Sequence, residues 1–536
     1  MSGEGRFRRE RPFVAAGAAT AAGGSATRAR GASFRSSHSP GDPMTDLEQH
    51  FAPFRANTIG DDLTFRTPYG EQKLVYADWT ASGRLYAPIE AALLTRFGPY
   101  VGNTHSESSV TGSAMTIAYH EAHARLKRHV NAGPDDLVLT SGSGMTGVVN
   151  KLQRILGLKA PEGLRHFIDL PEAERPVVFV THLEHHSNHT SWYESIADVV
   201  VVPPDENGVV DLAALAARLH EYRDRPVKIG AFSACSNVTG IFTPYHEMAR
   251  LVRRAGGISL IDFAASAPYV AIDMHPAGDP EAALDAVLFS PHKFLGGPGS
   301  SGVLVFNRAL YHNSVPDEAG GGTVAWTNPW GQYAFHDDIE AREDAGTPGF
   351  LQTIKAALAV ELKEAMGVEA MRRREEEIVP YAMDRLQAIP GVHLLAPGVR
   401  HRLAMLSFWT EGLHYNLVVR LLNDRFGVQA RGGCSCAGTY GHFLLHVDPS
   451  RSKAITDRID RGDLSEKPGW VRLSFHPSTT MADIDRALDA VAQVMRHGEE
   501  WAADYAYSNV TNEYRHRDGD TALREQVAGW YASALA

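Results

Sequence analysis

Lys293 stands inside LDAVLFSPHKFLGGPGSSGVLVF (284–306), where one apolar strand-like run ends at Ser290 and a second begins beyond a glycine-rich turn. An ammonium at the bend between buried strands must be paired or lose its charge. With its pKa lowered it is a competent amine for a Schiff base with an aldehyde. The glycines after it let backbone approach a bulky ligand. Taken alone, the pattern better suits a surface lysine on an ordinary hairpin; its company changes that. Asp262 closes the run ISLI, where a carboxylate can keep a pyridine nitrogen protonated and so make the ring an electron sink. An Asp there can also cap the following helix. The turn Gly142-Ser143-Gly144-Met145-Thr146 joins a strand to a helix and offers amides and hydroxyls to a phosphate, although plain helix caps look the same. His185 and His186 follow the run PVVFVT, where a histidine can stack on a flat ring and shuttle protons. A metal is the rival reading, disfavoured because no carboxylate or cysteine stands there at ligand spacing. His292 can bond a ligand phosphate. Arg472, in WVRLSF, can grip a carboxylate through paired N–H bonds, a surface salt bridge being the plainer role for a lone arginine. Lys293, Asp262, His185 and a Gly/Ser loop, all at strand ends, together describe a pyridoxal phosphate (PLP) site.

The elements that must position these residues alternate strand and helix from about residue 46. LVYADW (74–79), LVLTS (137–141), PVVFVT (176–181), KIGAFSA (228–234), ISLI and AVLF are strand-like, and AMTIAYHEAHARLKRHV (114–130) and HEMARLVRRAG (246–256) have helical spacing. Apolar runs without alternation imply a mostly parallel sheet covered on both faces. Chemistry in such sheets gathers beyond the carboxyl ends of the strands. After about residue 355 the pattern shifts to long helical segments, 354–389 and 414–426, with shorter strands, MLSFW and WVRLSF. The expected architecture is therefore α/β: a large doubly wound domain (76–354) preceded by a short N-terminal segment (44–75). A smaller α+β domain (355–500) and a tail (501–536), to which no function attaches, complete it.

The composition narrows the function classes. A net charge of −11 argues against nucleic acid or anionic membranes as partners, and no stretch approaches the roughly 20 apolar residues that span a bilayer. Three cysteines, an odd number, point to a reducing compartment without a disulfide framework; a cytoplasmic location is expected. Residues 1–43 differ from the rest, with seven arginines against Glu4, Glu10 and Asp42, and cannot bury a core. They read either as an organelle transit peptide or as an over-extended start, with Met44 opening the product.

The motifs EHHSN (184–188), SNVTG (236–240), IDFAAS (261–266), SPHK (290–293), EAGGGT (318–323), EDAGTP (343–348), RGGCSCAG (431–438) and VRLSF (471–475) resemble, in order, those of class V aminotransferases, within the fold-type I PLP enzymes and specifically the cysteine desulfurase branch. The resemblance covers roughly 74–476. It implies that Lys293 joins the cofactor's aldehyde and later moves the substrate α-proton, that Asp262 pairs with the ring nitrogen, and that His185 stacks on the ring. Ser143, Gly144, Ser290 and His292 would hold the phosphate, and Asn237 would lie near the phenolic oxygen. Arg472 would bind the substrate carboxylate. Thr323 and Thr347 would reach the cofactor of the partner in a homodimer. Cys436 occupies the place of the nucleophile that takes sulfur from L-cysteine as a persulfide and releases alanine, with Arg431 lowering its pKa; a protein sulfur acceptor would follow. Three features depart from the pattern. Ala265 replaces the desulfurases' glutamine, the Cys434-Ser435-Cys436 pair is similar to molybdenum cofactor sulfurases, and a polar insertion lies around 447–467. Two readings compete with desulfuration: another class V reaction (transamination, epimerisation or kynureninase-type cleavage) with incidental cysteines, and a regulator or scaffold without turnover.

Overall fold

The computed structural model describes residues 46–104, 107–519 and 521–535; the reading of 1–43 as leader or over-extended start lies outside them. Seven strands form the main sheet: β1 (Asp136–Ser141), β2 (Val177–Thr181), β3 (Asp198–Val202), β4 (Lys228–Ser233), β5 (Ile258–Asp262), β6 (Ala286–Phe289) and β7 (Gly302–Asn307). Their order is β1-β7-β6-β5-β4-β2-β3. Only β7 runs against its neighbours, β1 and β6; the other pairings are parallel. Every residue of β2, β4 and β6 is buried, which is why these strands read as unbroken apolar runs. One apolar layer, with Phe179, Phe232, Phe263 and Phe289, covers one face; another, with Leu152, Trp192 and Leu288, covers the other. Each such side chain contributes about 1.5–3 kcal/mol by leaving water.

Helix α1 (Val110–His129) starts where the Ser109 hydroxyl accepts the Gly112 N–H at 3.2 Å and packs along α3 (Phe350–Met366). Helix α2 (Met145–Ile155) follows β1 directly. The single helical segment expected over 354–389 is two helices, α3 and α4 (Val368–Gln387), broken at Gly367, whose φ of +84° lies outside helical space. The smaller layer is an antiparallel sheet of β8 (Val392–Leu394), β9 (Met405–Thr410), β10 (Arg431–Gly433) and β11 (Trp470–Ser474), ordered β8-β9-β11-β10. It packs with α5 (Tyr415–Phe426) and α8 (Met481–Trp501), after the intervening α6 (Gly438–Leu444) and α7 (Pro449–Ile459). The LVYADW run supplies only a two-residue strand, Val75–Tyr76, paired in parallel with Val428–Gln429, and Val75 and Ala77 join this second core. That docking carries Asp78 to the edge of β11, where it bridges Ser474.

Candidate active site

The carboxyl ends of the parallel strands open on one cavity of about 480 Å3, lined among others by Gly142–Gly147, His185, Asn237, Asp262, Ser290, His292, Lys293, Cys436 and Arg472. Because β7 is antiparallel, its first residue, Gly302, pairs with Ser141 at the end of β1. The β6–β7 connection, which carries Lys293, therefore lies against the loop leading into α2. The packing is tight: a Cβ on Gly302 would fall 2.4 Å from the Gly144 carbonyl, and one on Gly144 would fall 3.1 Å from Ser290 Oγ.

The N-cap of α2 is Gly144, which has no side chain to cap the helix itself. The Met145 N–H donates to Ser290 Oγ at 2.8 Å, and the His292 ring lies 3.4 Å from where a Gly144 Cβ would stand. Helix amides, a serine hydroxyl and an imidazole thus converge where the chain leaves β1, the arrangement an anion needs. Burial, then the charge of Lys293, lowers His292 to about 4.

Asp262 ends β5, buried, with Oδ1 accepting the Ala264 N–H at 2.8 Å. Burial raises its pKa to about 7, against the Ala264 bond and Lys293, which lower it. A buried acid so poorly compensated invites a cationic partner. Lys293 ends a 3-10 turn (Pro291–Lys293), and its ammonium makes no hydrogen bond among the described residues. Burial brings it down to about 8 while Asp262 pulls upward, so the neutral amine is far more accessible than for an ordinary lysine. His185 Nδ1 accepts the Ser187 N–H at 3.1 Å, which leaves its proton on Nε2. Burial, then Lys293, pushes it to about 3, so the imidazole is neutral.

Arg472 is buried on β11. Its Nη1 donates to the Asn237 carbonyl at 2.7 Å and its Nη2 to Asp78 Oδ1 at 2.9 Å, while Nε has no partner. Asp78 also takes Arg431 Nη2 at 2.9 Å. One carboxylate thus faces two guanidiniums, and a positive charge remains for an incoming anion. Asn237 Nδ2 donates to the Ser435 carbonyl at 2.7 Å, leaving its buried Oδ1 unpaired. Ser435 and Cys436 both adopt left-handed backbone, φ +52° and +56°, which costs non-glycine residues about 1–3 kcal/mol each. The Cys436 side chain is exposed on the cavity wall. Cys434 is half-buried, packs on the first apolar layer and does not line the cavity. Cys235 lines it as a deeply buried thiol whose pKa burial drives up.

Thr323 and Thr347 lie outside this cavity. Thr323 is buried with its hydroxyl on the Gly320 carbonyl at 2.7 Å; Thr347 is exposed, donating to Asn103 Oδ1 at 3.3 Å. Ala265 lines the cavity with no polar group. The residue that sequence reasoning missed is Asp78. It stands inside the strand-like run LVYADW rather than at its end, and its role depends on two arginines more than 350 positions away.

These features fit PLP. The helix N-terminus with a glycine at its N-cap suits a phosphate, buried Asp262 a ring nitrogen, the unpaired Asn237 Oδ1 a protonated phenolic oxygen, and the free Lys293 amine an aldehyde. Residues 75–487 match the family model for aminotransferase class-V, and the chain belongs to that family of PLP-dependent enzymes. It is similar to probable cysteine desulfurase 2 of Mycobacterium leprae, 27% identical over 404 residues (74% of this chain, 91% of that protein). A probable cysteine desulfurase of Staphylococcus epidermidis is 28% identical over 427 residues, 79% of this chain and 92% of that protein. Among solved structures, the apo cysteine desulfurase of Thermococcus onnurineus NA1 superposes with a TM-score of 0.63 at 20% identity, covering 79% of this chain and 95% of that one. The Escherichia coli cysteine desulfurase CsdA gives 0.62 at 22% identity, covering 83% and 98%. The fold is that of the fold-type I PLP-dependent transferases, as the α/β reading expected. Among the described residues no helix is long and apolar enough to cross a membrane.

Proposed function

We propose that this enzyme is a cysteine desulfurase that takes sulfur from L-cysteine as a persulfide on Cys436 and releases alanine. The observation that carries this reading is an exposed thiol, Cys436, on the wall of the cavity that also holds Lys293, Asp262, His185 and Arg472. Ser143, Gly144, Ser290 and His292 would hold the cofactor's phosphate, Asp262 its ring nitrogen, His185 its face, Asn237 its phenolic oxygen and Lys293 its aldehyde carbon. When bound, it supplies an electron sink next to the substrate's α-carbon. Arg472, partly neutralised by Asp78, grips the substrate carboxylate through its remaining N–H groups. Lys293, whose pKa burial lowers, removes and returns the proton at Cα. The Cys436 thiolate attacks the substrate sulfur: an S–S bond forms as the Cβ–S bond breaks, and the electron pair left on carbon takes a proton. Sulfur is oxidised as carbon is reduced, so no outside oxidant enters.

Thr323 and Thr347 would contact the cofactor of a partner subunit in a homodimer. The hairpin between them, Val324–Thr327 and Tyr333–Phe335, supports that by exposing Trp326 and Trp330. A protein sulfur acceptor would meet Cys436 at the cavity mouth. The test is alanine and sulfide production from L-cysteine by the wild type and by C436A. Loss of alanine in C436A with cofactor absorbance kept supports the reading; unchanged turnover of the natural substrate would replace it with another class V reaction.

A further inference from the structure

Cys436 is gripped from the segment that carries the cavity histidine. The main-chain N–H of His186 donates to the Cys436 carbonyl at 2.7 Å, and the His186 imidazole Nε2 accepts the Gly438 N–H at 2.9 Å. A Cβ on Gly438 would stand 3.2 Å from that Nε2, so the imidazole and the backbone at 438 are in close contact. Two hydrogen bonds from one residue thus span Cys436-Ala437-Gly438, next to the two consecutive left-handed residues, Ser435 and Cys436. Thr439 Oγ1 meets His189 Nδ1 at 3.1 Å one turn further on, so α6 continues on the same bed.

We propose that His186 is a positioning residue that clamps the Cys436 turn and sets the thiol at the mouth of the cavity. Strained backbone holds one geometry only where its surroundings over-determine it. Here the imidazole supplies the acceptor, because an α6 amide at the helix start has no intrahelical partner. The acceptor must be the unprotonated Nε2. Burial, then the charge of Lys467 from the 447–467 insertion, keeps His186 below the ordinary histidine range; the other titratable groups beside it are His185 and His189. His185 and His186 are adjacent in sequence, so the residue lining the cavity and the residue holding the thiol are fixed by one short turn. The inference rests on Cys436 being the nucleophile, but the clamp itself can be read without turnover.

The experiment compares holoenzymes carrying H186F, H186A and H186Q with wild type and C436A. Gln places an acceptor oxygen near the position of Nε2; Phe and Ala do not. In H186F and H186A, amide exchange across 434–440 is expected to accelerate and the rate of Cys436 alkylation by iodoacetamide to change. Their kcat for alanine formation should fall roughly ten- to a hundredfold, the scale of a small misplacement of reacting atoms, with KM within about twofold and the visible cofactor absorbance unchanged. H186Q should recover most of the exchange protection and of kcat. Unchanged exchange in H186F and H186A, or no advantage of H186Q over either, overturns the clamp. Should H186F not fold, H186A against H186Q decides it by the same readouts. Full alanine formation by C436A would instead remove the desulfurase reading, while exchange at 434–440 would still judge the clamp.

Discussion

The two halves of the site are held in different ways. Asp262 ends a buried strand, and Lys293 and His185 stand on the short turns that directly follow two others, so the sheet that stabilises the fold also places them. Cys436 projects from a turn of left-handed residues between β10 and α6, held by hydrogen bonds from His186 and Asn237. A residue positioned by a packed sheet needs no local support, whereas a residue on a strained turn needs several specific bonds. In the proposed reaction the lysine would work from the sheet-supported half and the thiol from the half held by individual hydrogen bonds.

The comparison breaks most visibly at Lys293. K293A is expected to lower alanine formation by at least about 10²–10⁴, the range for losing a positioned proton-transfer group, with melting temperature held. It should also lose the visible absorbance of the lysine-linked cofactor, which C436A keeps. A substantial rate with full absorbance in K293A would show that another amine does the work.

An intermediate effect is expected where the halves meet. Asp78 joins Arg431, two residues before β10 ends, to Arg472 on β11. D78N leaves two guanidiniums facing each other across a largely buried amide. Removing one partner of a buried pair costs about 3–5 kcal/mol, less here because Arg431 is about half exposed. The melting temperature should drop and KM for L-cysteine rise more than kcat falls, as thermal unfolding and initial rates would read. An unchanged KM would place substrate binding elsewhere.

The smallest effect concerns pH. Asp262 is raised to about 7 from an ordinary 3.8 in the protein without cofactor. The folded apoprotein therefore binds this proton more tightly than the unfolded chain does. Its contribution to stability is present at low pH and is lost as pH rises from about 4 through about 7. A cationic ring nitrogen would remove that penalty. The gap in melting temperature between holo- and apoenzyme should widen over this window and narrow in D262N. A gap independent of pH would mean that Asp262 does not face the ring.

Much of the rigid half was legible because the signal is local. An apolar run ending in a polar residue marks the end of a buried strand, so Asp262, His185, Ser290 and the 142–146 loop could be gathered without coordinates. Asp78, inside the run LVYADW, carries no such mark, and its value depends on arginines brought to it by the second core. The helix break at Gly367 was missed because helical spacing continues on both sides of it. The grip of His186 on the cysteine turn could not be read at all: its partners lie some 250 positions apart, and no spacing rule predicts a left-handed backbone at Ser435 and Cys436.

By itself, then, the chain determined the chemical inventory and the α/β alternation that sends it to one sheet edge, because side-chain pattern sets strand burial and strand ends set position. Tertiary structure alone decided which carboxylate shares Arg472, that His186 bonds the turn after Cys436, and that Cys434, two residues away, stays outside the cavity. Those choices depend on distances between segments far apart in the chain, which only packing fixes.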